Sequence, residues 1–332
     1  MRYNTIYFLI ITRLVNCILL SIVILIPMTI QSQQNGHYTQ YMYNKYEFNP
    51  AFGGLERSLS VNSYYRSQWN QLSSNPSQLG INAHMPLYLL KGSVGINVAS
   101  ENLGAERNTS VLLGYNYIIP TKIGTFSAGL SLGVLQKSID GSQLRTPSGE
   151  YENIINHNDL LLSNNQGYGI SPNWKLGVYF LNNNIETGFS ITNFPTNQIP
   201  VGDYRIDLQT SYTFFTEMKI YLENIDAYIK PSIFLQANNE FVQTAIATTL
   251  QYGNVFGGLG VRGYDSQSIE GLIFIMGMQI DKHYRLSYSY DYGLSSLQKV
   301  NDGSHEFVIN YNLQKLIGIG LPPKIIYNTR NL

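Results

Sequence analysis

The side chains that could carry out chemistry are few and scattered. Five histidines, His37, His84, His157, His283 and His305, show no spacing that would gather them around a metal ion, and each reads as a turn or interface residue. Gly257-Gly258-Leu259-Gly260 has the composition of a phosphate loop. It lies inside an alternating stretch with no helix after it, so it lacks the context a nucleotide site needs. The one cysteine, Cys17, falls in an apolar N-terminal stretch and is followed by Ile18 rather than a small residue, which argues against a lipid-anchor site. A mature chain without Cys17 has no disulfide, no thiol nucleophile and no cysteine-ligated metal. The sequence therefore predicts a chain that is not an enzyme and that needs neither cofactor nor metal.

The elements that must position whatever this chain does are short alternating runs. In His283 to Tyr292, Tyr284, Leu286, Tyr288, Tyr290 and Tyr292 fall on one face, and Arg285, Ser287, Ser289 and Asp291 on the other. Strand side chains alternate with period two, so such a run has one apolar and one wet face. Trp174, Leu176, Val178 and Phe180 form a second apolar face, and Phe126, Ala128, Leu130, Leu132 and Val134 a third. Tyr204, Ile206, Leu208, Tyr212 and Phe214 form a fourth. About fourteen runs begin near Arg57, Gln78, Lys91, Asn108, Ile123, Asn173, Asn184, Asp203, Ile225, Glu240, Val255, Gln267, His283 and Ser304. Most are about ten residues long, enough for a tilted strand to cross a bilayer. An even number of strands can close without leaving an edge in lipid. The expected fold is all-β, an antiparallel up-and-down transmembrane β-barrel of about 14 strands with a polar lumen. A soluble sandwich would call for buried faces richer in Val and Ile and fewer exposed tyrosines.

Composition agrees with a barrel. Only 13% of the 332 residues are charged, against roughly 25% in average soluble domains. The 26 tyrosines suit membrane–water interfaces. At the N-terminus, Arg2 and Arg13 precede the apolar run Leu14–Ile26, and the chain turns polar at Gln31-Ser32-Gln33-Gln34. This describes a secretory signal peptide over residues 1–32. Removing it, with its two arginines and no acidic residue, leaves 19 basic side chains against 21 acidic. No basic cluster remains to bind nucleic acid. Residues 33–55 and the tail 314–332 do not alternate, and each is placed either in the lumen, as a plug, or in the periplasm. The barrel is expected over 56–313. The polar stretch Ser138–Pro172 reads as a long outward loop, either a recognition loop or plain surface. Leu181-Asn182-Asn183-Asn184 and Gly253-Asn254 read as tight turns.

Several segments carry a family resemblance in order. They are Gln40-Tyr41-Met42, Asn49-Pro50-Ala51, Tyr65-Arg66-Ser67-Gln68-Trp69, Pro76, His84-Met85-Pro86, Gly92-Ser93-Val94-Gly95, Glu101-Asn102-Leu103-Gly104 and Tyr115-Asn116-Tyr117. Ser287 to Tyr292 and Gly303-Ser304-His305-Glu306 follow near the end. The chain resembles the PorP/SprF family along essentially the whole mature sequence. That resemblance implies an integral outer-membrane barrel of the type IX secretion system of gliding bacteria and their relatives. It also implies pairing with a large secreted adhesin or repeat protein, whose export it assists or whose C-terminal domain it holds at the cell surface. The chain departs from the family at Asn70 to Asn75, which replaces a Gly-rich stretch, and in its extension past the last strand.

From these motifs the candidate partner-binding or structural residues are Gln40, Tyr41, Asn49, Pro50, Arg66, Trp69, His84, Asp291, Tyr292, His305 and Glu306. Arg66 is expected to point into the lumen and pair with Glu47, Glu56 or a backbone carbonyl of the preceding segment, since a buried guanidinium needs acceptors. Alternatively, these are folding or rim residues that touch no partner. The leading functional expectation is a non-enzymatic export accessory and surface anchor. The competing one is a passive channel or small-molecule transporter. A membrane-embedded phospholipase would need a His/Ser/Asn pairing that does not stand out.

Overall fold

The computed structural model describes residues 38–317, apart from 73, 152–154, 160–163, 195–196, 203, 240, 266–267 and 295. The signal-peptide stretch, Cys17, His37 and Pro322-Pro323 lie outside the described residues.

Alternation becomes strand wherever the sequence repeats it. The strands are β1 (Ser60–Ser67), β2 (Ser77–Leu87), β3 (Gly92–Leu103), β4 (Glu106–Pro120), β5 (Thr125–Asp140), β6 (Gln166–Leu181) and β7 (Ile185–Thr192). A hairpin of β8 (Asn197–Val201) and β9 (Tyr204–Leu208) follows. Then come β10 (Ser211–Met218), β11 (Ile220–Leu222), β12 (Ala227–Ala237), β13 (Val242–Tyr252), β14 (Val255–Asp265), β15 (Ser268–Gln279), β16 (Tyr284–Gly293) and β17 (Ser304–Asn312). Each strand pairs antiparallel with its neighbour, β1 pairs with β17, and β10 pairs with both β7 and β12, so the sheet closes on itself. β10 and β11 are one strand interrupted at Lys219, and both lie along β12. With the β8–β9 hairpin set apart, the result is a closed antiparallel barrel of 14 strands.

The faces fall as the period demands. Along β6, Trp174, Leu176 and Val178 are exposed outward while Asn173 and Lys175 are buried inward. On β16, Ser287, Ser289 and Asp291 are buried and Tyr284, Leu286 and Tyr292 face out. Asn182 Oδ1 accepts from the backbone N–H of Asn184 and Ile185 and tightens the β6–β7 turn. Gly253, at φ 54°, makes the two-residue β13–β14 turn. Every connection at the end where β1 begins and β17 finishes is two to four residues long, whereas the four longest connections, 68–76, 141–165, 193–210 and 294–303, share the opposite end. In barrels of this type short turns face the periplasm and longer loops the exterior.

Two expectations need correction. The run from Tyr204 to Phe214 is not one lipid-facing strand. Tyr204–Leu208 pairs with Asn197–Val201 in a separate two-stranded sheet, and the barrel strand starts at Ser211. Leu208 is buried with Ile199 and Val201 against Leu135, while Tyr212 and Phe214 do face outward. The side chain of Tyr204 lies outside the described residues. Alternation shows that one face is apolar, but not whether that face meets lipid or the barrel interior. The Ser138–Pro172 loop is also shorter than expected. β5 and β6 run 16 residues each, past the length that crosses a bilayer, so the connection is 141–165.

Residues Tyr38–Leu55 lie within the lumen. Thr39 sits level with Arg66 near the loop end, Asn44 level with Asn82, and Gly54 level with His84 near the turn end. The segment therefore descends the lumen before the chain enters β1. One helical turn, Lys45–Phe48, and a 3-10 turn, Pro50–Phe52, keep it compact.

Candidate functional site

Four lumen-facing charges, Arg66, Arg262, Asp291 and Glu306, converge on the start of this inner segment. Register places Arg66 of β1 directly opposite Glu306 of β17. Arg66 Nη1 donates to Glu306 Oε2 at 3.0 Å and to Thr39 Oγ1 at 2.7 Å, and Nη2 donates to Asp291 Oδ2 at 2.6 Å. Arg262 of β14 donates to the same Asp291 oxygen at 2.7 Å and to Thr39 Oγ1 at 2.5 Å. The Thr39 hydroxyl donates to Asp291, and the backbone N–H groups of Thr39 and Gln40 donate to the Glu306 carboxylate at 2.8 and 3.1 Å. Two guanidinium groups and two carboxylates thus neutralise one another away from water. A buried pair is tolerable only when its remaining donors and acceptors are also met. Arg66 does turn inward, but its carboxylates are Asp291 and Glu306 rather than Glu47 or Glu56, and it reaches the inner segment through a hydroxyl.

Further contacts fix the rest of the segment. Glu47 Oε2 accepts from Asn97 Nδ2 at 2.7 Å, Asn82 Nδ2 donates to Asn44 Oδ1 at 2.7 Å, and Lys175 donates to the Glu47 carbonyl. Lys45 is paired with Glu186 and lies 3.6 Å from Glu217, while the Tyr179 hydroxyl donates to Glu186 at 2.7 Å. Two carboxylates thus flank the partly buried Lys45 ammonium. Asn49 caps the 3-10 turn through Ala51 N–H and donates to the carbonyls of Val178 and Phe189. Asn116 donates to the carbonyls of Ala51 and Gly53 at 2.8 and 2.7 Å. The Tyr41 ring stacks on Phe234 with centroids 4.9 Å apart, and its hydroxyl reaches Ser232. Two wall glycines make room for this packing. A Cβ on Gly177 would stand 2.0 Å from Asn49 Oδ1, and one on Gly129 would stand 2.5 Å from Ala51 N.

The residues singled out in the sequence divide by face. Gln40, Tyr41, Asn49, Pro50, Arg66, His84, Asp291 and Glu306 meet in the lumen, where His84 Nδ1 accepts from Gly54 N–H at 3.1 Å. Tyr292 is exposed on the outer face. His305 alternates outward and its Nδ1 lies 2.7 Å from the Tyr288 hydroxyl. Trp69 sits in the β1–β2 loop at φ 52°, its N–H donating to Ser304 Oγ. Sequence reading missed Thr39, Arg262, Lys45 and the Asn82–Asn97–Asn116 amides. For Arg262, Asn82, Asn97 and Asn116 an inward phase on charged or amide positions was the available signal; Thr39 and Lys45 belong to the non-alternating inner segment and carry no phase.

Chemically, the arrangement clamps a segment. Among the described residues no group of three His, Cys, Asp or Glu side chains could hold a metal ion. Gly129-Leu130-Ser131-Leu132-Gly133 has the spelling of a nucleophile elbow, yet all five residues lie inside β5, not on the strand-to-helix turn such a serine requires.

The family model described as type IX secretion system membrane protein PorP/SprF matches residues 30–311. No match was found among curated proteins. Among solved structures the chain is similar to CdiB from Acinetobacter baumannii, at 12% identity and TM-score 0.42, covering 77% of this chain and 60% of that one. It is also similar to the A. baumannii outer membrane protein Omp33, at 8% identity and TM-score 0.45, with 77% and 97% covered. The TodX deltaS2S3 mutant monoaromatic hydrocarbon channel gives 12% identity and TM-score 0.41, with 79% and 91% covered.

Proposed function

The chain belongs to the type IX secretion system membrane protein family PorP/SprF and is an outer-membrane β-barrel; from that premise we propose that it is a non-enzymatic accessory of export. It assists or anchors a large secreted adhesin or repeat protein by binding that protein's C-terminal domain at the outer face. The family ties it to other components of the secretion system. The observation that supports a holding role over a conducting one is the lumen itself, filled by Tyr38–Leu55 and tied to the wall through the Arg66–Asp291–Glu306–Arg262 network. With the lumen so occupied, the surfaces left for a partner are the loop-end connections, among them the Trp69 loop, 141–165 and the β8–β9 hairpin. Strand addition or loop clamping would supply the contacts. In this reading Gln40, Tyr41, Asn49, Pro50, Arg66, His84, Asp291 and Glu306 hold the plug rather than the partner.

The test mixes the detergent-purified full chain with recombinant C-terminal domains of the large adhesins that its host secretes, and follows complex formation by size-exclusion chromatography. A stable complex with one such domain, weakened when 141–165 is replaced by a short Gly/Ser linker in a barrel that still migrates as folded, is the expected result. Failure of every domain to bind would contradict the reading.

A further inference from the structure

The turn end of the lumen holds a space of ≈ 1010 Å³ that the clamping contacts do not use. Gly54 and Leu55, the last residues of the inner segment, lie in its lining, so it borders the plug on one side and the exposed turns on the other. Its wall is the inward face of β2, β4, β5 and β6. Pro86, Ile118, Pro120, Thr125 and Leu181 carry the same phase as His84, Asn116, Ser127 and Tyr179, and all but Thr125 are apolar. Its rim is cationic. Arg57, Lys91 and Lys122 stand exposed in the lining, and none of them makes an ion pair with a described residue. No Asp or Glu lines the space. The acidic residues next to the lining in sequence are engaged elsewhere, Glu56 accepting from Asn312 and Glu186 pairing with Lys45.

Three like charges around an apolar wall suit a guest that joins carboxylates to apolar side chains. A space of this size takes a short stretch of chain rather than a single ion. Two other occupants fit less well. Lipid meets the opposite face of the same strands, where Tyr117, Ile119 and Phe126 are exposed. The chain's own tail, 318–332, follows Ile317, whose N–H donates to the Arg57 carbonyl at 3.1 Å beside the rim. That tail carries Lys324 and Arg330 and no acidic side chain, so the rim repels it.

We propose that this mouth docks an acidic peptide segment of a periplasmic partner in the same secretion system. The partner's apolar side chains lie against Ile118 and Leu181, and its carboxylates meet Arg57, Lys91 and Lys122. The proposal rests on the family tie to other secretion components and on the turn end facing the periplasm. The adhesin reading concerns the loop end, so either can fail without the other.

The test mixes the full-length barrel in detergent with the purified periplasmic components of its host's type IX secretion system, one at a time, and reads affinity by biolayer interferometry. Photoreactive p-benzoylphenylalanine in place of Ile123 maps the contact by mass spectrometry. The expected result is saturable binding of one component, crosslinked through a segment rich in Asp and Glu and weakened at least tenfold in the double variant Lys91→Glu, Lys122→Glu. Reversing the acidic residues of that segment to Lys should restore binding to the double variant. Both lysines are exposed on turns, and retained heat-modifiable migration confirms that the variant is folded. Binding of no component, equal binding by the double variant and wild type, or crosslinks confined to phospholipid or to residues 318–332 would each overturn the proposal.

Discussion

Arg66 joins four elements that are remote in sequence: it bonds Thr39, Asp291 and Glu306, and shares Asp291 with Arg262. Removing one partner of such a buried network leaves an uncompensated charge, at a cost of about 3–5 kcal/mol. Arg66→Leu is therefore expected to loosen the inner segment, read as faster protease cleavage within Tyr38–Leu55 of the detergent-purified barrel. Unchanged cleavage would contradict the pinning role. Arg66→Lys restores one charge but not the fork of two donors, so it should fall between wild type and Leu. Gly177→Ala tests the same packing from the wall, since its Cβ would displace Asn49. It should expose the segment to protease while leaving the outer surface untouched. The sequence showed that Arg66 must find acceptors but not which ones. Its carboxylate partners lie 225 and 240 residues away, and only closure of β1 on β17 brings them together.

Elements were legible where one face meets lipid. Tyr284–Tyr292 and Trp174–Phe180 announce their strands because every second residue is large and apolar. The β8–β9 hairpin escaped because Ile206 and Leu208 carry the same rhythm while facing the barrel's interior. Residues 38–55 escaped in part because a segment that binds a polar lumen has no lipid-facing period; its Asn, Gln, Glu and Lys side chains answer amides and charges on several strands. On this account the segment sets the conductance. The wild-type barrel in planar bilayers is expected to show no large steady conductance. Deletion of 38–55, with the barrel still heat-modifiable, should open a lumen lined by Asn62, Asn82, Asn97 and Asn116 and raise the current severalfold. Equal currents before and after the deletion would show that the segment does not block the lumen.

At the scale of the molecule, 14 antiparallel strands close without an edge, the apolar faces turn outward, and the buried charges Arg66, Arg262, Asp291 and Glu306 meet one folded segment inside. On the proposed reading this closed barrel is the mount and its loop end carries the contacts to a protein held outside the cell. The most direct measurement is surface labelling of the proposed adhesin partner in cells lacking this chain, compared with cells carrying wild type or the form in which a Gly/Ser linker replaces 141–165. The account predicts that the adhesin disappears from the surface without the chain, returns with wild type, and returns only weakly with the loop variant. Adhesin at the same surface level in all of these cells would contradict it.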